Sequence, residues 1–359
     1  MRREKNQYIF ASELTKRNRS HHFRVAFLVF LPLLILILCV MSIAISRQVI
    51  VRDLKLTILN LPADLENYSI LHISDLHGAR FGKEQKAIAT ALGDTRYSCV
   101  VMTGDMLGED RDVEPLLELI ALMPRDVPKF LIAGDMDGDI VETTAHSSLS
   151  VYAQWVEEVQ AQGVKVLDRP ALITREQGRI WFVPEELYAL NLDGMLNTYR
   201  DQWTNLNSRA ASLTANDAAR LRYLEYELQR LEDLKEIKKQ IKPEDIQVVL
   251  THTPLSSDYM ADLVSWGNKE EAFSMRYASL ILAGHYNGGQ WRIPFAGALY
   301  VPELGWFPED ELVEGLSYIE GIPQYISPGM GSDPHYEHQP GRIFNSPVIT
   351  RILLTRKVN

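Results

Sequence analysis

Five short apolar runs, each ending in a carboxylate or a histidine, constrain the fold of this chain more than any other feature of its sequence. Short apolar runs rich in Val, Ile and Leu are typical of β-strands buried on both faces. Helical patterns such as EPLLELIALM and YAQWVEEVQAQ lie between them. The alternation predicts an α/β fold whose strand ends present polar side chains. The runs are SILHISD to Asp75, CVVMTGD to Asp105, KFLIAGD to Asp135, QVVLTH to His252 and LILAGH to His285.

The composition excludes several classes of protein. With 359 residues, 46% of them hydrophobic, the chain can bury a sizeable core, so general disorder is excluded. A formal net charge of −10 argues against nucleic acid as a partner, because such contacts rest on clustered Lys and Arg. Cys39 and Cys99 have no neighbours at metal-ligand spacing, so no disulfide framework or zinc knuckle is expected. Lipidation of Cys39 is a weaker alternative.

Residues 25–46 form an uncharged, almost wholly apolar run that is long enough to cross a bilayer. We predict a transmembrane helix, because a buried core helix normally shows a polar face and a cleaved signal peptide normally has a shorter apolar run. Seven Lys and Arg residues precede the run, within the tail 1–24, and three follow it soon after. The positive-inside rule then predicts a single-pass protein of the cell membrane, with a cytoplasmic N-terminus and the folded domain outside.

Two further segments organise the chain. Residues 47–68 link the run to the folded domain and contain an alternating apolar and polar pattern, VIVRDLKLTILNLP, that is typical of a half-buried strand. The folded domain is expected over 69–356. Within it, residues 198–242 are highly charged and carry Leu and Ile at spacings of three and four, which predicts an inserted helix or helical hairpin. A salt-bridged structural arm is favoured over a cap that touches substrate.

The ordered set of strand ends resembles the calcineurin-like metallophosphoesterases, and within them a membrane-anchored bacterial branch similar to the UDP-2,3-diacylglucosamine pyrophosphatases. The family pattern is D-x-H, GD, GNH(E/D), a histidine and GHxH, and this chain has DLH, GD, GDMD, H and GHYN in that order. The similarity runs from about residue 69 to 354, and the stretches GGQWRIPFAGALYVPELGWFP and YISPGMG also resemble the anchored branch. The resemblance implies a four-layer α/β/β/α sandwich with two divalent cations.

The resemblance also implies which residues bind the cations. Oxygen and nitrogen donors of this kind suit intermediate divalent cations, and we expect Mn²⁺, with Mg²⁺, Fe²⁺ or Zn²⁺ as alternatives. Three of the ligands, Asp105, His252 and His285, are also the residues expected to carry catalysis. The predicted ligands are Asp75, His77 and Asn287 at the first cation, Asp135, His252 and His285 at the second, and Asp105 bridging both.

Three positions depart from the family pattern: Asp135 replaces Asn, Met136 replaces the catalytic His, and Asn287 replaces a ligand His. A thioether cannot donate a proton, so the general acid of the family is missing at Met136. Three histidines in loop-like stretches are candidate substitutes, although solvated loop histidines are the commoner case. They are His146, His335 and His338.

Other polar residues near the motifs have plainer interpretations. His72 lies inside a strand pattern and is expected to be packed. Asp137, Glu109 and Asp110 follow ligand positions, where carboxylates either support ligand histidines or lie on the surface.

The predicted activity is hydrolysis of a phosphoester or pyrophosphate bond at the membrane surface by a metal-bound hydroxide. A lipid-linked substrate is one of the candidates. One alternative is a phosphomonoesterase or phosphodiesterase that acts on soluble substrates. Another is a catalytically impaired relative that binds a metal or a partner.

Overall fold

The structure, a computed structural model, describes residues 7–143, 151–209, 212–266, 272–333 and 341–356. Within these ranges the apolar runs form β-strands whose bounds are, in chain order, β1 (Ile50–Ile58), β2 (Ser69–Ile73), β3 (Cys99–Thr103), β4 (Lys129–Ile132), β5 (Val164–Val166), β6 (Ala171–Thr174), β7 (Arg179–Pro184), β8 (Ile246–Leu250), β9 (Ala278–Ala283), β10 (Arg292–Ile293), β11 (Gly297–Ala298), β12 (Tyr300–Val301), β13 (Gly305–Trp306), β14 (Gly315–Ile319), β15 (Ile322–Ile326) and β16 (Val348–Arg356).

Twelve of these strands build two six-stranded sheets. The first has the order β1-β16-β2-β3-β4-β5, and all of its pairs are parallel except β16 with β2. The second has the order β14-β15-β9-β8-β7-β6, with parallel central strands and antiparallel pairs at both edges. The remaining four strands form two short hairpins, β10 with β11 and β12 with β13.

The two sheets pack face to face. Phe130 of β4 stacks on Phe182 of β7 with ring centroids 4.6 Å apart. Val101 of β3 and Leu280 of β9 are fully buried in the same cluster. Side chains alternate along each strand, so every second residue points into this layer and the others point toward the outer helices. Because both faces of each sheet are covered, the strand runs are apolar on both faces.

The helices are α1 (Gln7–Arg47), α2 (Lys86–Leu92), α3 (Glu114–Ala121), α4 (Gln154–Ala161), α5 (Leu192–Asn207), α6 (Ala215–Gln240), α7 (Ser257–Trp266) and α8 (Asp310–Val313). Helices α2, α3 and α4 cover the outer face of the first sheet through residues such as Ile88, Leu119 and Val159. Helices α5, α6 and α7 cover the outer face of the second sheet. This arrangement confirms the predicted four-layer α/β/β/α sandwich.

The charged segment that we expected over 198–242 holds a helical hairpin of α5 and α6, which contact each other. Helix α5 begins at Leu192, earlier than the charge pattern indicated, because the Asn191 side chain accepts a hydrogen bond from the Gly194 amide and caps the helix. The hairpin buries Leu231 and Leu234 against the β7 side chain Trp181. Its apolar side therefore faces the second sheet.

Helix α1 contains one stretch, Phe27–Arg47, that is long and apolar enough to cross a membrane. A signal sequence near an N-terminus has the same properties, so length and composition leave both roles open. Near its C-terminal end the helix contacts the folded domain. The Phe344 amide donates to the Ser42 hydroxyl at 3.2 Å, and the Ser346 hydroxyl donates to the Ile45 carbonyl at 3.1 Å.

Candidate active site

The five polar strand ends predicted from the sequence meet at one place. Backbone bonds join the loops after β2 and β3, where the Asp75 amide donates to the Gly104 carbonyl at 3.0 Å. The loops after β8 and β9 are joined by the Gly284 amide, which donates to the His252 carbonyl at 2.9 Å. The two pairs are linked in turn, because the His285 amide donates to a carboxylate oxygen of Asp75 at 2.8 Å.

The ligand-type residues adopt an unusual backbone conformation. Left-handed φ angles cost non-glycine residues roughly 1–3 kcal/mol each and cluster where the surrounding structure holds functional groups in place. Such angles occur at several predicted ligands, namely Asp75 (53°), His77 (49°), Asp105 (52°), His285 (79°) and Asn287 (50°).

Two glycines allow the loops to approach closely. A Cβ atom on Gly104 would lie 2.6 Å from the Gly134 Cα, and one on Gly284 would lie 2.7 Å from Oδ2 of Asp75. Distances below 3.0 Å require atoms to shift. The glycines that precede Asp105 and His285 are therefore needed for the strand ends to converge.

The converging side chains form two groups of potential metal ligands that share one residue. Asp75, His77 and Asp105 offer donor atoms within 4.8 Å of one another, and so do Asp105, His252 and His285. A carboxylate that belongs to both groups has the position of a bridging ligand between two cations. This is the arrangement that the resemblance implied for Asp105.

In the second group, His252 Nε2 lies 3.2 Å from Asp105 Oδ2 and 3.2 Å from His285 Nδ1. Asp135 stands at the rim, with its side chain 70% exposed and its Oδ2 3.5 Å from His285 Nδ1. It is also 3.9 Å from His252 Nε2. Asp135 is thus within reach of a cation held by the two histidines, although it is far less buried than they are.

In the first group, His77 Nε2 lies 3.9 Å from Asp105 Oδ2. Asn287 is buried beside it, with its Nδ2 3.1 Å from His77 Nε2. The predicted oxygen ligand Oδ1 therefore points away from His77 in this orientation, and a half-turn of the amide would exchange the two atoms.

Unpartnered polar atoms test whether a cation fits here. Buried oxygens normally accept a hydrogen bond, and one that lacks a partner marks a place where another group binds. Oδ2 of Asp75 and Oδ1 of Asn287 are both buried without a hydrogen-bond partner. Two unpartnered oxygens beside two carboxylates and three imidazoles suit divalent cations, so the donor set fits.

The electrostatics of the site point the same way. Burial raises the pKa of Asp75. Burial also opposes charge on His252, yet the neighbouring carboxylates of Asp105 and Asp75 raise its pKa to about 10. A proton on His252 and a divalent cation are alternative ways to neutralise the buried carboxylates, and the ligand geometry favours the cation.

The groups that orient the ligands are mostly backbone atoms. His252 Nδ1 donates to the Thr103 carbonyl at 2.8 Å, which turns Nε2 toward Asp105. Asp137, one of the carboxylates considered for this task, instead accepts bonds from the Leu107 and Gly134 amides. It therefore fixes the turn that carries Asp135.

The other secondary candidates lie apart from the ligands. Glu109 and Asp110 are exposed, and Asp110 accepts a bond from the Asp112 amide. His72 is fully buried, with its Nε2 2.8 Å from the Thr103 hydroxyl. Burial lowers the pKa of His72 to about 3, so it is a neutral core residue, as its strand position indicated.

Met136 contributes to the site through its backbone. Its amide donates to Oδ1 of Asp105 at 2.8 Å and so helps to position the shared carboxylate. The side chain offers no proton. The histidines considered as substitutes, His146, His335 and His338, lie outside the described residues.

Two residues at the site were not found from the sequence. Oε1 of Glu303 lies 3.5 Å from Nε2 of His285, on the opposite side of that ring from Asp105. The side-chain amide of Asn345 donates to the Asn287 backbone carbonyl at 2.8 Å and supports the loop that carries Asn287. Glu303 follows the two-residue strand β12 and Asn345 lies in a loop, so no long apolar run indicated either residue.

A small cleft of about 40 Å³ opens beside these residues. It is lined by His285, Asn287, Tyr286, Tyr300 and Glu303, among others. The cleft gives a substrate access to the ligand histidine from the side of the β12–β13 hairpin.

The solved structures that are similar to this chain include the following three. A phosphopantetheinyl hydrolase from Mycobacterium tuberculosis is 15% identical, with 80% of this chain and 96% of that chain covered and a TM-score of 0.37. A 5'-nucleotidase candidate from Staphylococcus aureus is 9% identical, with 81% and 55% covered and a TM-score of 0.32. A protein of unknown function from Aquifex aeolicus is 15% identical, with 61% and 79% covered and a TM-score of 0.23. At such scores none of these similarities extends to a substrate.

Among curated proteins, none matches the chain. The family model of the calcineurin-like phosphoesterases matches residues 68–287. These residues include β2, β3, β4, β8 and β9 together with every predicted ligand. The match spans more than half of the chain, and the chain therefore belongs to the calcineurin-like phosphoesterase family.

Proposed function

We propose that this phosphoesterase cleaves a phosphoester or pyrophosphate bond at a membrane surface with the help of two divalent cations, Mn²⁺ before Mg²⁺, Fe²⁺ or Zn²⁺. The observation that carries the proposal is the position of Asp105, which belongs to both groups of potential ligands. One carboxylate between two cations is the arrangement that holds them close enough to act on the same phosphoryl group.

Each cation would have its own set of residues. Asp75, His77 and Asn287 would hold the first, and Asp135, His252 and His285 the second, with Asp105 shared. When bound, the cations supply an acidified water and neutralise the charge of the phosphoryl oxygens. The protein contributes the fixed geometry of the ligands, through the left-handed backbone at Asp75, His77 and Asp105.

Glu303 would act as a positioning residue for the second set. Its carboxylate faces the nitrogen of His285 that is turned away from Asp105. A carboxylate in this place accepts the ring proton, fixes the tautomer and makes the other nitrogen a stronger donor.

The absence of a proton donor at Met136 bears on the bond that is cleaved. A general acid typically contributes about 10²- to 10⁴-fold when the leaving group needs a proton. A pyrophosphate bond releases a phosphate anion that needs little help. The side chain at Met136 therefore favours a pyrophosphate bond over an alkyl phosphate ester.

The membrane part of the proposal rests on α1. The apolar stretch Phe27–Arg47 would remain as an anchor, with the basic tail in the cytoplasm and the domain outside. A cap over a lipid-linked substrate, the less favoured alternative for residues 198–242, would not come from α5 and α6, because their apolar side packs on β7. A lipid-linked substrate would have to be met elsewhere on the domain.

Metal analysis combined with turnover tests the central claim. Asp105→Asn should lose both cations and more than about 10²-fold in turnover, because the shared ligand holds both. Asp75→Asn should lose mainly the first cation. Glu109→Gln is the matched control, since that carboxylate is exposed and lies in the loop after Asp105.

The turnover assay should use aryl phosphate monoesters, aryl phosphate diesters and nucleotide-linked pyrophosphates as test substrates. Wild-type metal content and turnover in Asp105→Asn would overturn the two-cation reading. Two bound cations in the wild type without turnover of any substrate would instead identify a protein that binds metal and has lost activity.

A further inference from the structure

The two hairpins beside the active-site cleft carry large apolar side chains that no other part of the described chain covers. Phe295 is fully exposed at the tip of the β10–β11 hairpin. Trp306 and Phe307, in and just after β13, are 68% and 59% exposed. We refer to Phe295, Trp306 and Phe307 as the aromatic surface. Trp306 and Phe307 are neighbours, with ring centroids 6.4 Å apart. Several exposed aromatic residues on two consecutive hairpins are uncommon on soluble domains and mark an interaction site.

The aromatic surface is connected to the end of the apolar helix α1. Ile343 is joined to the start of the β10–β11 hairpin, because its amide donates to the Gln290 carbonyl at 3.1 Å and its carbonyl accepts from the Arg292 amide at 2.9 Å. The next residue, Phe344, donates its amide to the Ser42 hydroxyl of α1. Two consecutive residues, Ile343 and Phe344, therefore connect the hairpin to the helix.

The contact lies within the apolar stretch rather than beyond it. Ser42 is buried by the domain, whereas Cys39 is exposed one turn earlier. At 1.5 Å per residue, Ser42 lies about 7.5 Å before Arg47, where the stretch ends. If the stretch spans the hydrocarbon core, the domain face at Phe344 reaches the boundary between headgroups and acyl chains and does not stay above the headgroups.

We propose that the aromatic surface docks into the interfacial layer of the bilayer in which α1 is embedded. The inference rests on the anchor proposed above. Trp and Phe favour the boundary between headgroups and acyl chains, where an aromatic ring is partly shielded from water. Glu309 and Glu311 are exposed beside Phe307 and would be repelled by anionic lipid, so the occupant is the interface of a zwitterionic bilayer.

The β12–β13 hairpin connects the aromatic surface to the candidate active site. Tyr300 lines the cleft, and its ring centroid is 5.0 Å from that of Trp306. Glu303, in the turn between β12 and β13, faces His285. Docking would therefore place the mouth of the cleft among the headgroups, where a phosphoryl group on a lipid is located.

Fluorescent labels on the full-length chain test the docking directly. The protein is reconstituted in vesicles of phosphatidylcholine in three samples that differ in the labelled position. In the first sample the dye is attached to the native Cys39. Cys99 stays unlabelled, because it is buried and burial raises the pKa of its thiol to about 12. In the second sample the label is at Phe295→Cys in a Cys39→Ser background. The matched control is Leu172→Cys in the same background, on β6 at the opposite edge of the second sheet.

Replacing the lipid with bromine-bearing phosphatidylcholine should quench the dye at positions 39 and 295 by about two-fold and leave position 172 unchanged. Iodide in the water should quench the dye at 172 and spare that at 295. Quenching by bromolipid at 39 alone would overturn the docking while the anchor stands. Absence of quenching at 39 would overturn the anchor and the docking together. Neither result depends on turnover, so a failure of the phosphoesterase proposal remains distinct.

Discussion

Met136 is the residue at which this chain departs most from the chemistry of its family. The backbone amide still donates to Asp105, so the turn keeps its shape while the side chain brings no proton. The turn therefore still positions the Asp105 carboxylate, but its side chain cannot protonate a leaving group. The rate should therefore depend steeply on the leaving group.

Met136→His should raise kcat/KM for alkyl phosphates by at least about 10-fold more than for activated aryl phosphates, because only poor leaving groups need a proton in the transition state. The same substitution combined with Asp135→Asn restores the charge of the family pattern. A series of leaving groups compared in wild type and both variants measures the effect.

Met136→Gln is the control, since it matches the length of Met and has no ionisable proton. It should leave the slope against leaving-group pKa unchanged. A flat slope in the wild type would contradict the prediction and would direct attention to His146, His335 and His338 as donors.

Individual ligands were predictable from the sequence to different degrees. Asp75, Asp105 and His252 directly follow buried strands, and a strand end has a defined place in the fold. Glu303 and Asn345 reach the site through loops, and their positions depend on contacts with His285 and Asn287 that are distant in sequence. No periodicity reports such contacts.

At the scale of elements, long apolar runs were identified and short strands were not. Strands β10 to β13 have two residues each, which is too few to show an alternation. The predicted segment began at residue 198, after the true start of α5 at Leu192, because the first turn of this helix is defined by the Asn191 cap and not by charge. The longest runs made the α/β alternation predictable, whereas the four-layer arrangement was predictable through the resemblance to the family.

The α5–α6 hairpin should support the fold and not the chemistry. Leu231→Ala removes a fully buried side chain between α6 and the second sheet and should lower the free energy of unfolding by about 2–5 kcal/mol. The turnover of the folded protein should be unchanged, since no described residue of the hairpin belongs to the ligand groups. Urea unfolding and kcat at low temperature measure the two quantities.

Glu236→Ala provides the comparison on the same helix. Its side chain is 65% exposed and pairs with Lys239 at the surface, so the expected change is within about 0.5 kcal/mol. A folded Leu231→Ala protein with strongly reduced kcat would show that the hairpin acts on the substrate.

For the whole molecule, the basic tail 1–24, which precedes the apolar stretch Phe27–Arg47, predicts that the catalytic domain lies outside the cytoplasm. Protease added to intact spheroplasts should digest the domain, and α1 should remain in the membrane at its full mass. Immunoblots with tags at the two ends measure both. A cytoplasmic protein digested only after lysis is the internal control, and protection of the domain until lysis would reverse the orientation.

The pairing of β1 with β16 determines when the first sheet can be completed. Asp53 and Arg351, 298 residues apart, form an ion pair between the two strands at 2.6 Å and 2.8 Å. At about 5–20 residues per second, the ribosome releases β16 roughly 15–60 s after β1. During that interval β1 is an unpaired edge strand tethered next to α1, where it can pair with other chains. Nascent copies of this protein therefore present β1 without its partner strand until β16 has been synthesised.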